Sequence, residues 1–262
     1  MLLRPLRAAW AYGMLWFGLG LLALGSFAWG LLALPLRLLL PARTGRALGR
    51  AVAARGFRLY LDVLQAAGAC RLDLDALDGL RTAGPLILAP NHPSLLDAVM
   101  MLSRAPQATC VLKATLIDSM LFGAGARLAG YIRNDPPMGM VRRSVDVLRA
   151  GGQLLLFPEG TRTVRAPLNP FRGAIALIAR RAGVPVQTVF IEADSAFLGK
   201  GWPLTRRPAL PLRYRVRLGR RFDPPQDLHE FVRELEQYFA RELAEPPAPA
   251  LGLPADVESR PA

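Results

Sequence analysis

A histidine and an aspartate lie five positions apart in residues 91–97, which read Asn-His-Pro-Ser-Leu-Leu-Asp. An imidazole ordinarily titrates near pH 6.5, so His92 is suited to take a proton from a hydroxyl at neutral pH. In one unbroken helix the two side chains would diverge by about 140°. Pro93 disfavours a helical conformation at His92, so we expect His92 on an extended loop and Asp97 in the first helical turn. This spacing predicts a general base and a carboxylate that orients it.

The same segment has alternative interpretations. Ser94 followed by Asp97 resembles a capping box, in which both side chains only satisfy backbone N–H groups at a helix start. Ser94 is also a conceivable nucleophile beside His92, although its place one residue after Pro93 suits a cap better. A Cys110 and His92 pair is a further alternative, but residues around Cys110 read as a buried strand and favour a core cysteine.

A second polar segment, residues 157–162, reads Phe-Pro-Glu-Gly-Thr-Arg. Apolar runs of strand length precede both segments, at residues 85–90 and 153–156. Ligand sites of open α/β sheets lie in the crevice beyond the carboxyl ends of the strands. We therefore expect the two loops to converge on one pocket.

The residue types of the second segment suit a phosphate. The planar guanidinium of Arg162 can donate two parallel hydrogen bonds, and Gly160 lets the backbone approach a ligand closely. Glu159 is expected to order Arg162. The alternative is an ordinary turn with a surface ion pair.

Together the two segments resemble the glycerolipid acyltransferase family, whose fingerprints are an Asn-His-x4-Asp block and a later Phe-Pro-Glu-Gly-Thr-Arg block. The resemblance covers residues 85–193 and implies an α/β domain with a mainly parallel sheet flanked by helices. It also implies transfer of a fatty acyl group from coenzyme A or acyl carrier protein, as co-substrate, to a lipid hydroxyl. It implies His92 as the base and Asp97 as its partner. The implied substrate-binding residues are Asn91, Ser94, Arg133, Glu159, Gly160, Thr161 and Arg162.

Two further family blocks match poorly. Residues 131–134 read Tyr-Ile-Arg-Asn, which places Arg133 one position early, and residues 184–189 keep only the first of two prolines. The arginine block is associated with the acceptor phosphate, and we expect Arg133 to compensate. The expected acceptor is 1-acylglycerol-3-phosphate, in phospholipid biosynthesis. The alternatives are a specialised acceptor, such as a lyso-aminolipid or a secondary lipid, and a non-catalytic lipid-binding protein on the same fold.

An apolar segment precedes these motifs. Residues 8–36 are 29 uncharged positions rich in Leu, Ala, Trp and Phe. As a helix they would extend roughly 43 Å, against a bilayer hydrocarbon core of about 30 Å. Residues 1–40 are therefore predicted to be a membrane anchor, as one helix or a helical hairpin. Its excess length would be taken up by tilt, by an end at Pro35 or by a bend at its glycines.

Arginines flank the anchor unevenly. Only Arg4 and Arg7 precede it, whereas more arginines follow it closely. Because positively charged loops stay in the cytoplasm, this excess favours a catalytic domain on the cytoplasmic face of the inner membrane. Residues 41–70 are predicted to form an amphipathic helix that lies on anionic headgroups, or alternatively packs on the domain with a solvated basic face. The arginines that follow the anchor are Arg37, Arg43, Arg46, Arg50 and Arg55.

Residues 71–244 are long enough for one catalytic domain. Residues 212–218 alternate as a strand with a basic face, and residues 227–243 have the period of an amphipathic helix. Residues 245–262 are rich in Pro and Ala and are predicted to be disordered. Alternation of strands and helices indicates a parallel sheet. The predicted strands lie around Leu86, Cys110, Tyr131, Leu155 and Val189, and the helices around Val99, Leu121, Val145 and Ile178.

The chain carries 33 basic and 20 acidic residues, a formal charge of +13. Such charge fits anionic membrane lipids, the phosphates of coenzyme A or an acidic acyl carrier protein. Nucleic acid is the alternative partner, but the apolar segment and the paired motifs would have no role in nucleic-acid binding. The spacing of Cys70 and Cys110 indicates no metal site, and His229 reads as a helix-surface residue. The densest basic cluster is Arg206, Arg207, Arg213, Arg215, Arg217, Arg220 and Arg221.

Overall fold

The computed structural model describes residues 3–244. The predicted disorder of residues 245–262 lies outside the described residues. The helices are α1 Leu3–Leu39, α2 Ala42–Ala66, α3 Asp97–Arg104, α4 Ala114–Ile117, α5 Gly123–Ala129, α6 Pro137–Arg149, α7 Ala174–Ala182, α8 Leu228–Ala244 and a 3-10 helix at Asp75–Thr82. The strands are β1 Cys70–Asp73, β2 Ile87–Pro90, β3 Ala108–Leu112, β4 Ile132–Arg133, β5 Gln153–Leu155, β6 Val186–Ala193 and β7 Leu212–Phe222.

The seven strands form one mixed sheet in the order β1-β7-β6-β2-β5-β3-β4. The five strands from β6 to β4 are mutually parallel, whereas β7 is antiparallel to β6 and parallel to β1. The mainly parallel sheet predicted from the sequence is therefore confirmed. Its central strands are buried on both faces, which explains their near-continuous apolar runs.

Helices cover both faces of the sheet. Successive residues of β2 alternate, so that Ile87 and Ala89 pack with α6, α7 and α8 while Leu88 packs with α1, α2 and α3. The carboxyl end of β2 thus emerges between two packed layers. In α8, Phe231, Leu235 and Phe239 are buried, as the helical period predicted.

The N-terminal apolar segment forms one continuous helix, α1, with Pro35 inside it. The alternatives of an end at Pro35 and of a helical hairpin are therefore wrong. By length and composition, residues 6–39 of α1 could cross a membrane.

One side of α1 packs on the rest of the chain through small residues. A Cβ built on Gly18 would lie 3.4 Å from Leu64 Cδ2, and one built on Gly125 of α5 would lie 2.5 Å from Trp29 Cδ1. Ala33 is fully buried among residues of α5. These close approaches need small side chains, and they fix α1 along the domain.

Helix α2 also packs on the domain. Gly49 lies so close to α5 that a Cβ would be 2.6 Å from the Ala129 backbone nitrogen. Arg50 Nη1 donates to the Ala129 carbonyl over 3.3 Å, whereas Arg43 and Arg46 are exposed. These contacts agree with the alternative given for residues 41–70, a helix that packs on the domain with a solvated basic face.

Carboxylates pair with several arginines of the basic strand β7. Arg217 Nε lies 2.6 Å from Glu192 Oε1 and its Nη1 lies 2.7 Å from Glu242 Oε2. Arg220 Nη2 lies 2.8 Å from Glu234 Oε1. The alternation predicted for residues 212–218 is present, but much of its charge is compensated within the fold.

Candidate active site

The two motif loops meet because their strands are neighbours. β2 and β5 are parallel, with Leu88 opposite Leu155, so both strands end at the same edge of the sheet. His92 is bonded to the second loop through both of its backbone polar groups. Its N–H donates to Glu159 Oε1 over 3.0 Å, and its carbonyl accepts from the Thr163 N–H over 2.7 Å. The expected convergence of the two loops is therefore observed.

His92 and Asp97 form a hydrogen-bonded pair. Asp97 is the first residue of α3, and its Oδ2 lies 2.8 Å from His92 Nδ1. The Ser94 N–H donates to the same oxygen over 2.7 Å. Because an ionised carboxylate can only accept, Nδ1 carries the proton and Nε2 is left to accept one. One carboxylate oxygen thus satisfies the helix start and orients the imidazole.

Burial dominates the electrostatics of Asp97, whose side chain is fully buried. Desolvation raises the pKa of Asp97 from 3.8 to about 6, although the hydrogen bonds from His92 and Ser94 act in the opposite direction. Asp97 Oδ1 is buried and has no hydrogen-bond partner among the described residues. The side chain of His92 retains 16% of its accessible surface, so the imidazole can be reached from outside.

Phe157 packs flat against the imidazole. The ring centroids of His92 and Phe157 are 3.9 Å apart and the ring planes differ by 22°. Phe157 lies two residues after the end of β5 and is buried in the core on the α1–α3 side. The sequence motif contains this residue, but the residue pattern alone assigned it no role.

Glu159 holds the loops together and forms no hydrogen bond or ion pair with Arg162 among the described residues, so the expectation that it orders Arg162 directly is wrong. Its Oε1 accepts from the His92 N–H and from Thr163 Oγ1, the latter over 2.8 Å. Its Oε2 accepts from the Asn169 N–H over 2.8 Å. The side chain is only 2% exposed, because three donors in the loops compensate its charge.

Asn91 and Ser94 are also committed to internal hydrogen bonds, which differs from the expected contact with substrate. Asn91 Nδ2 donates to the Ile191 carbonyl over 3.0 Å, and the Ile191 N–H donates back to Asn91 Oδ1 over 2.7 Å. Ser94 Oγ donates to the Phe197 carbonyl over 2.9 Å, and Ser94 is 1% exposed. This geometry disfavours Ser94 as a nucleophile.

Arg162 lies at the rim of the site against a tight turn. Its Nη1 donates to the carbonyls of Leu198 and Gly199 over 2.7 and 3.1 Å. Leu198 has a φ of +54°, a conformation that an L-residue with a side chain adopts at some energetic cost. The Nε and Nη2 donors of Arg162 have no protein partner in the described part of the chain. They are available to an anion.

Gly160 and Thr161 connect these groups. Gly160 has a φ of +69°, and a Cβ there would lie 2.7 Å from Arg172 Nε. The positive φ favours glycine, whereas the flexible Arg172 side chain could move aside. Thr161 is half-buried on the same loop.

Arg133 lies apart from this site, at the end of β4, three strands from β2 in the sheet order. Its Nη1 lies 2.6 Å from Asp118 Oδ1, and its Nε lies 3.0 Å from Asp135 Oδ1. These carboxylates raise the pKa of Arg133, the hydrogen bond with Asp135 most. The expected compensating role of Arg133 in phosphate binding is therefore not supported by its position.

Sequence reasoning missed Asn169 and Arg172. Asn169 Oδ1 accepts from the N–H groups of Val164 and Arg165, and its Nδ2 donates to the Arg162 carbonyl over 3.1 Å. Asparagine side chains typically make such bonds in turns, so the Leu-Asn-Pro run could have indicated it. Cys110, by contrast, is a fully buried core residue.

Residues 71–192 match the family model described as Acyltransferase. The chain is 26% identical over 137 residues to the chloroplastic 1-acyl-sn-glycerol-3-phosphate acyltransferase of Brassica napus, covering 50% of this chain and 40% of that protein. It is 33% identical over 127 residues to the lyso-ornithine lipid O-acyltransferase of Pseudomonas aeruginosa, covering 44% and 49%. The chain spans about two fifths of the length of the chloroplast relatives it matches.

A solved structure shares the fold. The crystal structure of the 1-acyl-sn-glycerophosphate acyltransferase from Thermotoga maritima superposes with a TM-score of 0.65 and covers 92% of this chain and 96% of its own. At 18% identity this likeness shows the fold alone. The match of residues 71–192 to the Acyltransferase model and the curated relatives support the glycerolipid acyltransferase family for this chain, and the solved structure supports its fold.

Proposed function

We propose that this protein transfers a fatty acyl group from a thioester to the hydroxyl of a lysophospholipid-type acceptor, with His92 as general base. The observation that carries the proposal is the bond from His92 Nδ1 to Asp97, which directs Nε2 to accept a proton beside the 157–163 loop. The match of residues 71–192 to the Acyltransferase family model supports the same reaction.

The chemistry needs no covalent intermediate on the protein. His92 Nε2 takes the proton of the acceptor hydroxyl as its oxygen attacks the thioester carbonyl carbon. Collapse of the tetrahedral intermediate breaks the C–S bond and forms the ester. A free thiol has a pKa of about 8.5, so the thiolate leaves readily and recovers the proton from the imidazolium. Asp97 stabilises the imidazolium between these two transfers.

The favoured acceptor is 1-acylglycerol-3-phosphate. The open donors of Arg162, with Arg172 packed over Gly160 beside it, suit a phosphate monoester. The second candidate is an acceptor without that phosphate, such as a lyso-aminolipid. It is favoured by the pairing of Arg133 with two aspartates and by the lyso-ornithine lipid relative.

For the donor, a groove between α6 and α7 supports an anionic carrier of the thioester. Its charged lining residues are Arg142, Arg149, Arg181 and the single acid Asp146. Arg142 and Arg181 have no charged partner among the described residues. The groove lies on the sheet face opposite α1. Helix α6 begins at the sheet edge that carries His92 and ends, with Arg149, at the opposite edge. Coenzyme A phosphates and an acidic carrier protein both fit this charge. The test compares the KM for acyl-CoA with the KM for acyl carrier protein in Arg142→Glu, with Arg233→Glu on α8 as control. A higher KM for only one of the two donors would identify the donor that binds in the groove.

We also propose that α1 lies in one leaflet of the inner membrane, with the catalytic domain on the cytoplasmic face. Its contacts with the domain extend from Ala11 to Ala33, about 33 Å at 1.5 Å per residue, so the attached domain would obstruct a full crossing. The arginines after α1 support the cytoplasmic side. The outward face is apolar and exposed, with Leu6, Trp10, Trp16, Phe17, Leu24, Phe27, Leu31, Leu32, Leu34, Leu38 and Leu39.

An N-terminal epitope tag tests this topology. In spheroplasts, the tag stays protected from external protease if α1 lies flat on the cytoplasmic side. Cleavage of the tag from outside, with the catalytic domain still protected, would show that α1 crosses the membrane instead.

The reaction is tested with His92→Ala in micelles or vesicles, using acyl-CoA and 1-acylglycerol-3-phosphate. We expect loss of transfer by a factor of about 10² to 10⁴ with the protein still folded and membrane-bound. His229→Ala is the matched control, because His229 is exposed on α8, and it should retain activity. Near-normal turnover in His92→Ala would exclude the proposed base.

The acceptor site is tested with Arg162→Ala, which should raise the KM for a phosphate-bearing acceptor more than it lowers kcat. Arg133→Ala is the matched control and should leave that KM unchanged, because Arg133 is paired with Asp118 and Asp135. The opposite pattern in the two variants would reassign the phosphate site to Arg133.

A further inference from the structure

We propose that Phe157 is a positioning residue that stabilises the protonated form of His92 through its ring face. The inference rests on the proposed function in one respect, because the proposed reaction includes protonation of His92. The geometry itself is independent of the reaction, with centroids 3.9 Å apart and ring planes within 22° of parallel.

The physical basis is the charge distribution of an aromatic ring, which is negative on its faces. A cation over that face is attracted, and the attraction grows when the pair is shielded from water. Phe157 is 9% exposed and the His92 side chain 16%, so little water competes with the contact. The stack therefore favours imidazolium over neutral imidazole, by roughly 5- to 30-fold in the protonation equilibrium.

Neither ring can easily turn away. The Phe157 carbonyl accepts from the Gly160 N–H over 3.0 Å, and its side chain belongs to the core. His92 is held by Asp97 at Nδ1 and by Glu159 and Thr163 at its backbone. The bond to Asp97 sets the direction of Nε2, and Phe157 covers one face of the ring. An acceptor hydroxyl is thus directed to approach in the imidazole plane.

Other charged and titratable groups also surround His92. Asp97 on α3 and Glu159 on the second loop are the carboxylates that contact it, and Tyr214 of β7 reaches the site through Ser94 Oγ over 3.3 Å. Arg162 lies on the same loop as Glu159. A test of Phe157 must therefore leave these groups unchanged and alter only the ring.

The direct test is an NMR titration of the histidine rings in micelles, without substrate. The chain has only two histidines, so His229 on the surface of α8 serves as an internal control. Replacing Phe157 with mono-, di- and trifluorinated phenylalanine weakens the ring face progressively at nearly constant size. We expect the His92 midpoint to move stepwise to lower pH and that of His229 to stay fixed.

Phe157→Leu removes the ring face and should lower the His92 midpoint by about 0.7 to 1.5 pH units, the logarithm of the same 5- to 30-fold factor. The acidic limb of the pH profile of kcat/KM should move in the same direction. The value of kcat/KM at its plateau should fall by up to the same factor, about 5- to 30-fold. Phe222→Leu, another buried phenylalanine, controls for general loosening of the core and should leave the midpoint in place.

An unmoved His92 midpoint across the fluorinated series would overturn the proposal, even if acyl transfer by the wild type is confirmed. Conversely, retention of activity in His92→Ala would refute the proposed base while leaving the NMR result intact. The two failures are therefore distinguishable.

Discussion

Glu159→Gln distinguishes an internal structural role of Glu159 from a substrate-binding role. The carboxylate accepts three hydrogen bonds, from the backbone of His92, the backbone of Asn169 and the hydroxyl of Thr163. An amide has one acceptor oxygen, so its NH₂ group must face at least one N–H or hydroxyl that it cannot satisfy.

The magnitude follows from those bonds. Hydrogen bonds to a charged group contribute about 1.5–3 kcal/mol each and neutral ones about 0.5–1.5, so three bonds lose roughly 3 kcal/mol in total. A buried donor left without a partner costs about 1–3 kcal/mol more. We therefore expect Glu159→Gln to lower the free energy of unfolding by about 4–6 kcal/mol. A displacement of His92 by about 1 Å would lower kcat by about 10²-fold.

The assay is urea or thermal unfolding of the micelle-bound protein without substrate, followed by steady-state kinetics at a temperature where the variant is folded. Glu230→Gln is the matched control, because Glu230 is exposed on α8, and it should change stability by no more than about 0.5 kcal/mol. Thr163→Val should couple to Glu159→Gln, with a double variant less destabilised than the sum. Unchanged stability, with the whole defect in the acceptor KM, would refute the structural role.

Two further predictions concern the buried carboxylate and the helix packing. The pKa of Asp97 is raised from 3.8 to about 6, so its burial is tolerated below pH 3.8 and increasingly destabilises the fold as pH rises to 6. The stability of Asp97→Asn relative to wild type should therefore increase by about 2 kcal/mol between pH 4 and 7; a pH-independent difference would contradict this. Gly49→Ala should destabilise the protein by about 1–3 kcal/mol, since the added Cβ would meet the α5 backbone at 2.6 Å. Gly56→Ala on the same helix has open space and should stabilise it by up to about 1 kcal/mol in the same melts; equal effects would refute the packing argument.

Local sequence patterns were sufficient to predict much of the fold and the pairing of His92 with Asp97 in the site. Apolar runs bounded by proline or glycine predicted the strands at Ile87–Pro90 and Gln153–Leu155, and Pro93 predicted the break that lets Asp97 reach His92. Such features depend on residues a few positions apart. The sequence reports them because backbone preferences and side-chain periods act over that range.

Partners distant in the sequence were decided only by the tertiary structure. Glu159 and Arg162 are three residues apart, yet the chain turns Glu159 inward to His92 and Arg162 outward to Leu198. The carboxylates that compensate Arg217 come from β6 and α8, which no local pattern connects to β7.

The apolar composition of α1 determined that the helix suits a membrane, whereas Gly125 and Ala33 decided that it lies along the domain. The Asn-His-x4-Asp spacing likewise determined a candidate base, and the ring of Phe157 against it was decided by two parallel strands. Hydrophobicity and backbone preference are properties of a segment and can be read from it. A contact depends on which segments the sheet order makes neighbours, and that order is set by the packing of the whole chain.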